Sequence, residues 1–172
     1  TFGGPLTFVV ILCDVLKAVI AVLIAAHIGG GFDPRMMPDM PLSTEMTVYY
    51  VVLFKYWAAL FCLLGHMFPC MFHFKGGKGI LSGGTLVLLL NWRVAAVAWA
   101  LFLLLWLTTR YVSLASITAT CSAPITVYFV YAHNWLYTGL CLAVAALVVW
   151  CHRENIQRLL HGTEKKFKWH VN

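Results

Sequence analysis

Long apolar runs alternate with short polar breaks along almost the whole chain. Residues 7–28, 47–66, 77–91, 94–109, 112–131 and 135–150 are each dominated by apolar side chains. Most of these runs approach or exceed the roughly 17–25 residues an α-helix needs to cross a bilayer. The third run is the odd one. Its 15 residues reach only about 22 Å at a rise of 1.5 Å per residue, short of a hydrocarbon core of roughly 30 Å. Between the runs, "NWR" (91–93), "TRYVS" (109–113) and "AHN" (132–134) read as breaks and turns. A polar loop occupies residues 29–46, and a basic tail follows residue 150. The pattern predicts an all-α, polytopic integral membrane bundle with six crossing helices, one of them short. Residues 1–151 form the bundle; residues 152–172 form a cytoplasmic C-terminal helix and basic tail within the same domain.

Composition supports the membrane reading. Of 172 residues, 62% are hydrophobic and only 10% charged, more apolar side chain than a soluble domain of this size can use. A signal peptide does not explain it: the chain starts at Thr1 without a basic n-region, and apolar segments recur as far as Trp150. The six cysteines (Cys13, Cys62, Cys70, Cys121, Cys141, Cys151) form no CxxC pair and read as small core or lipid-facing residues. His66 and His73 have no third ligand near them in sequence, so no metal and no cofactor is expected. Nothing in the chain bears on oligomeric state.

The net charge of +6 fits positive-inside topology, an anionic ligand, or both, and no nucleic-acid partner is expected. The placement of the charges fixes the topology. In the tail, Arg153, Arg158, Lys165, Lys166 and Lys168 outweigh Glu154 and Glu164, so the tail belongs on the cytoplasmic side. Counting back over six crossings, the Arg110 turn, the Lys75/Lys78 stretch and Thr1 are inside. The loop with Asp33, Asp39 and Glu45 against Arg35 is outside. If residues 77–91 did not cross, the two most basic regions would face opposite sides. Trp92, Trp135 and Trp150 fall at the ends of runs, where interfacial aromatics belong.

The unusual polar sequence collects on that inner face. "GHMFPCMFHFKGGKG" (65–79) places two histidines, two lysines, a proline and four glycines between membrane-grade segments. The "GGKG" glycines let the backbone bend and approach a ligand. They also open the short helix, whose N-terminus presents free N–H groups and a positive dipole end suited to phosphate. Lys75 and Lys78 add charge, and Arg110 precedes a helix that Ser113 can cap. The plainer readings are positive-inside charge for the lysines and close helix packing for Gly76, Gly77, Gly79, Gly83 and Gly84.

"HRENIQRLLHGTEKK" (152–166) reads as a helix ending at Gly162. His152 and Asn155 share one face, and Glu154 and Arg158 form a supporting i, i+4 pair. A juxtamembrane helix that binds anionic lipid is the plainer alternative, but a lipid anchor has no use for a His–Asn pair. Asp14 and Lys17 lie inside a span, where ions are costly and mark function or a helix–helix lock. Lys55, also mid-span, is expected to snorkel or to pair with Asp14.

The stretches at 65–79 and 152–166 resemble the second and third signature motifs of the bacterial PlsY family, the acyl-phosphate:glycerol-3-phosphate acyltransferases. "DVLKA" (14–18) resembles the family's D-x-x-K-G, with Ala18 in place of glycine, and "TRYVSLASI" (109–117) is similar to a further family stretch. The match is colinear over essentially the whole chain. The resemblance implies a fold of seven transmembrane helices with an outside N-terminus and a cytoplasmic active site in the bacterial cell (inner) membrane. The six crossings found here fit that fold without its first helix. The family's first motif, G-S-G-N-x-G-A-T-N, has no counterpart before Gly3; the expectation is of a fragment that begins just after it.

The activity implied is transfer of a fatty acyl group from acyl phosphate to the 1-hydroxyl of glycerol 3-phosphate, beside membrane lipid. Carried over by motif position, Lys78 and the backbone of Gly76, Gly77 and Gly79 bind phosphate, and His152 and Asn155 contact glycerol 3-phosphate. His66 and Glu164 match motif positions and either touch ligand or hold loops. Arg110 and Ser113 belong to the same phosphate-binding set. Two rival classes remain at this stage: a small organophosphate or phosphate transporter, and an inactive membrane scaffold of acyltransferase ancestry.

Overall fold

The computed structural model describes residues 4–31 and 44–167. The core of the acidic loop, with Asp33, Arg35 and Asp39, and the end of the tail, with Lys168, lie outside the described residues. Among the described residues seven α-helices follow one another: α1 (Gly4–Gly30), α2 (Thr44–Met67), α3 (Ile80–Leu90), α4 (Trp92–Thr109), α5 (Val112–Val130), α6 (Trp135–Cys151) and α7 (Arg153–Leu160). Each predicted apolar run is a helix, and the tail stretch is the seventh.

The breaks between them have local causes. Asn91 Oδ1 accepts the Arg93 N–H at 2.9 Å and starts α4. Asn134 Oδ1 accepts those of Leu136 at 3.0 Å and Tyr137 at 3.2 Å and starts α6. Arg110 ends α4 in the left-handed conformation (φ 62°), and Gly162 follows α7 with φ 68°. The start of α5 differs from expectation. Its N-cap is Tyr111, without a side-chain bond, and Ser113 is already inside the helix with its hydroxyl committed elsewhere.

Helices α1 to α6 form six legs that alternate between two faces. On one face, Asn91 Nδ2 donates to Tyr131 Oη at 3.2 Å and Tyr137 Oη donates to the Tyr49 carbonyl at 3.1 Å. These bonds tie the α3–α4, α5–α6 and α1–α2 ends together. On the other face lie the 68–79 loop, the Arg110 turn and α7. Both basic segments therefore share a face, as the charge parity requires. Four legs (α1, α2, α4 and α5) are long and apolar enough to cross a membrane alone. α6 and α7 together, bent by 61°, make a fifth. With 11 residues, α3 reaches about 16 Å; it is the short leg of the six expected, and length and composition alone count four or five spans.

Small residues set the tightest packing. α1 buries Ala18, Val22, Ala25 and Gly29 along one stripe. A Cβ on Gly29 would lie 2.9 Å from Val51 Cα of α2, so this crossing needs the absence of a side chain. Gly84 gives way to Trp99, whose ring would sit 2.8 Å from an added Cβ and whose Nε1 donates to the Gly84 carbonyl at 3.3 Å. Below the basic face, Ala18, Val22, Ala59, Leu63, Met67, Leu86 and Val148 form one core; Tyr56, Leu60, Val94, Val127, Tyr137 and Leu140 form a second. The rest of α1 turns large apolar side chains outward, as a lipid-facing helix does. Lys55 does not pair with Asp14, which is held by Lys17 and lies beside His66. Among the described residues Lys55 has no ion pair.

Candidate active site

The loop after α2 folds back on the helix it leaves. A 3-10 turn (Cys70–Phe72) follows Pro69, and His73 and Phe74, both with positive φ (52° and 58°), reverse the chain. The Gly76 N–H then donates to the Met67 carbonyl at 3.1 Å and the Gly77 N–H to the His66 carbonyl at 3.2 Å. These bonds satisfy carbonyls that the end of α2 would otherwise leave open. Only glycine fits at either position. A Cβ on Gly76 would collide with the His66 carbonyl oxygen, and one on Gly77 with the His66 ring. Gly79 caps α3 with φ 74°, and a Cβ there would lie 2.7 Å from Met67 Cε.

Of the 76–79 backbone expected to meet a phosphate, two amides are engaged within the protein. The amides of Gly76 and Gly77 are committed to α2. The open donors are the amides of Lys78 and Gly79, which make no backbone bond among the described residues, and those of Ile80, Leu81 and Ser82, which precede the first helical bond of α3. Ser82 Oγ in that turn is fully buried and has no partner among the described residues.

The side chain of Lys78, between the loop and α3, reaches across to α7 and donates to Asn155 Oδ1. Asn155 Nδ2 donates to Glu164 Oε1 at 2.7 Å, and Ser113 Oγ of α5 donates to the same oxygen at 2.6 Å. Arg158 Nε donates to Glu164 Oε2 at 2.7 Å. One carboxylate thus ties together α5, α7 and, through Asn155, the lysine of the loop. The predicted pairing of Arg158 with Glu154 is the looser one, at 4.0 Å and exposed. Glu164 is chosen instead because its side chain is only 9% exposed, where an ion pair is less screened.

Burial would raise the pKa of Glu164. The hydrogen bonds from Ser113, Arg158 and Asn155, with the charge of Arg158, outweigh it and hold the carboxyl at about 2. The unfolded value is about 4.3, so the stability this group contributes is complete above that pH. It is lost as pH falls from there towards 2. Glu164→Gln removes this term, and its melting temperature should fall less than that of the wild type between pH 5 and pH 3. Parallel acid limbs in the two proteins would contradict the assignment.

His152 sits at the break between α6 and α7 and is 1% exposed. Its Nδ1 lies 2.7 Å from the Val148 carbonyl. A carbonyl can only accept, so Nδ1 carries the proton and Nε2 is left as an acceptor in the neutral ring. Asn155, three residues on, is buried with it, which realises the shared face read from the sequence. Arg110 lies on this side of the bundle but enters through its backbone: its carbonyl accepts the Phe167 N–H at 2.8 Å. Phe167 packs on Trp106 at 5.5 Å and Lys166 lies over the Tyr111 ring at 5.4 Å, so the tail is strapped to the α4–α5 turn. Lys75 is exposed.

Below the loop, a cavity of about 350 Å³ opens among α2 to α6. Gly79, Leu63, Leu86, Trp99, Phe102 and Val148 are among its lining, so its walls are apolar and include the N-cap of α3.

A bundle of membrane-length apolar helices with a polar, cationic cluster at one end defines an integral membrane protein. The sequence matches the family described as Glycerol-3-phosphate acyltransferase over residues 1–162, and the chain belongs to that family. It is 34% identical over 167 residues to the glycerol-3-phosphate acyltransferase of Fusobacterium nucleatum, covering 97% of this chain and 75% of that one. It is 43% identical over 106 residues to the enzyme of the same name from Aquifex aeolicus, covering 61% and 54%. The fold is similar to the crystal structure of PlsY (YgiH), an integral membrane glycerol 3-phosphate acyltransferase, in its glycerol 3-phosphate form. That likeness has a TM-score of 0.59 at 29% identity over 88% of this chain and 96% of the other. The lysophosphatidic acid form of that protein matches with the same TM-score at 28% identity.

Proposed function

We propose that the protein transfers a fatty acyl group from acyl phosphate to the 1-hydroxyl of glycerol 3-phosphate, forming lysophosphatidic acid at the cytoplasmic face of a bacterial cell membrane. One observation carries the reading: the Lys78–Asn155–Glu164 network adjoins an apolar cavity, since Lys78 is followed directly by Gly79, Ile80 and Leu81 of the cavity's lining. A donor with a phosphate head and a long acyl chain needs both features next to each other. The acceptor needs only the first. The hydroxyl oxygen of glycerol 3-phosphate attacks the acyl carbonyl carbon, the bond from that carbon to the phosphate oxygen breaks, and inorganic phosphate leaves with the electron pair. His152 Nε2 accepts the hydroxyl hydrogen bond, takes the proton as the O–H bond breaks and passes it to the leaving phosphate. Lys78 and the open amides of α3 hold phosphate, and positioning with charge stabilisation supplies most of the acceleration. The leaving phosphate is already a stable anion, so no covalent enzyme intermediate is required.

The test is donor choice. The purified protein, given glycerol 3-phosphate, should form lysophosphatidic acid from acyl phosphate at least about 100-fold faster than from an acyl thioester of the same chain, because only the phosphate fits the cationic loop. Equal rates from the thioester would overturn the donor assignment. No product from either would overturn the activity.

A further inference from the structure

Asp14 and Lys17 stand apart from the cluster described above, on α1, inside the apolar part of the bundle. Lys17 Nζ donates to Asp14 Oδ1, one turn away on the same helix. That bond joins no two helices. The contact that does so is the one from Lys17 Nζ to Nδ1 of His66, on α2, at 2.6 Å. Asp14 Oδ1 also lies 3.5 Å from that nitrogen. An ammonium only donates, so His66 Nδ1 accepts and the ring proton sits on Nε2. The Nε2 edge of the ring packs against Gly77, close enough that no Cβ fits between them. The same residue's carbonyl accepts the Gly77 N–H at 3.2 Å. His66 therefore grips the loop twice, by ring and by backbone, one residue before Lys78. Charged side chains within apolar surroundings are retained for a function that repays their desolvation.

We propose that Asp14 and Lys17 are positioning residues for the phosphate loop, acting through His66. Lys17 fixes the rotamer and tautomer of the ring, Asp14 fixes Lys17, and the ring sets the position of Gly77 and so of the Lys78 ammonium. This rests on Lys78 being a phosphate ligand. The arrangement also explains why the loop carries glycine at 77: the ring occupies the place of a side chain.

The test is a set of double-variant cycles on purified, monodisperse protein, read in two ways. Lys17→Met is made in the wild type and in His66→Ala, with Asp14→Asn as the second variant should Lys17→Met fail to fold. In the wild-type background, kcat/KM for glycerol 3-phosphate should fall by about 10- to 100-fold, as misplacement of a binding group by a fraction of an ångström to an ångström does. Hydrogen exchange at the Gly76 and Gly77 amides should accelerate about tenfold or more. Lys17→Arg, which keeps a donor, should recover most of both. In the His66→Ala background, Lys17→Met should add less than about a twofold change in either readout, because its route to the loop is gone. Equal losses in both backgrounds would overturn the proposal, as would lost activity with unchanged exchange at the two amides. If the wild type transfers no acyl group, the functional reading fails, while the exchange data still decide whether Lys17 holds the loop.

Discussion

Lys78→Ala should leave acyl transfer at least about 100-fold below wild type in kcat/KM for glycerol 3-phosphate, the scale of removing one preorganised charge-stabilising donor. Two losses combine. The site loses the cation that the loop glycines and the Asn155 carbonyl oxygen hold in place. The Asn155 oxygen loses its donor as well, and leaving a buried acceptor without a partner carries its own penalty. Lys78→Arg rescues little, because the planar fork of a guanidinium does not reproduce a compact ammonium point charge. Lys75→Ala serves as the internal comparison. Lys75 is exposed, as Lys78 is, but its side chain has no partner among the described residues where Lys78 is tied to Asn155, so its loss should stay below about tenfold, the effect of a screened charge. Near-normal kinetics in Lys78→Ala would remove the loop from the binding site.

The second large effect belongs to Asn155→Ala. Asn155 is the bridge between Lys78 and Glu164. Without it the lysine is free to move and the carboxylate loses one of its three donors. A hydrogen bond to a charged group contributes roughly 1.5–3 kcal/mol, so kcat/KM for glycerol 3-phosphate should fall about 10- to 150-fold, through a higher KM, a lower kcat or both. Hydrolysis of acyl phosphate by water should suffer less, since water needs no docking of a phosphate head. A purely structural asparagine gives a different result: lower yield and melting temperature, with unchanged kinetics in the protein that survives. Wild-type kinetics from a monodisperse Asn155→Ala sample would take Asn155 out of the site.

The legs of the bundle and its basic face were legible because apolar runs and charge asymmetry are one-dimensional signals. The ends of the runs carried their own marks: Asn91 and Asn134 read as breaks and are helix caps. The lysine loop and the His152–Asn155 face were legible for a related reason, since glycine, lysine and histidine are out of place in such a chain. What the sequence did not show was partner choice. Arg158 has Glu154 at helical spacing, yet its strong partner is Glu164, six residues on and past the end of the helix. Ser113 stands where a cap belongs, yet it bonds the same carboxylate across 51 residues. Spacing along one helix predicts neighbours on that helix only, and the tail returns by a turn at Gly162 whose direction no periodicity encodes. The close contacts of the loop glycines were hidden for a similar reason. Glycine signals close approach, but not of what, and here Gly76 and Gly77 approach the end of α2.

Thermal unfolding of the purified protein in the presence of glycerol 3-phosphate, beside glycerol at the same concentration, tests the phosphate site most directly. A ligand that binds only the folded state raises the melting temperature with concentration, following RT ln(1 + [L]/Kd). A phosphate site built on Lys78 predicts a rising melting temperature with glycerol 3-phosphate, no rise with glycerol, and no rise with either in Lys78→Ala. An equal shift from glycerol, or an undiminished shift from glycerol 3-phosphate in Lys78→Ala, would contradict it.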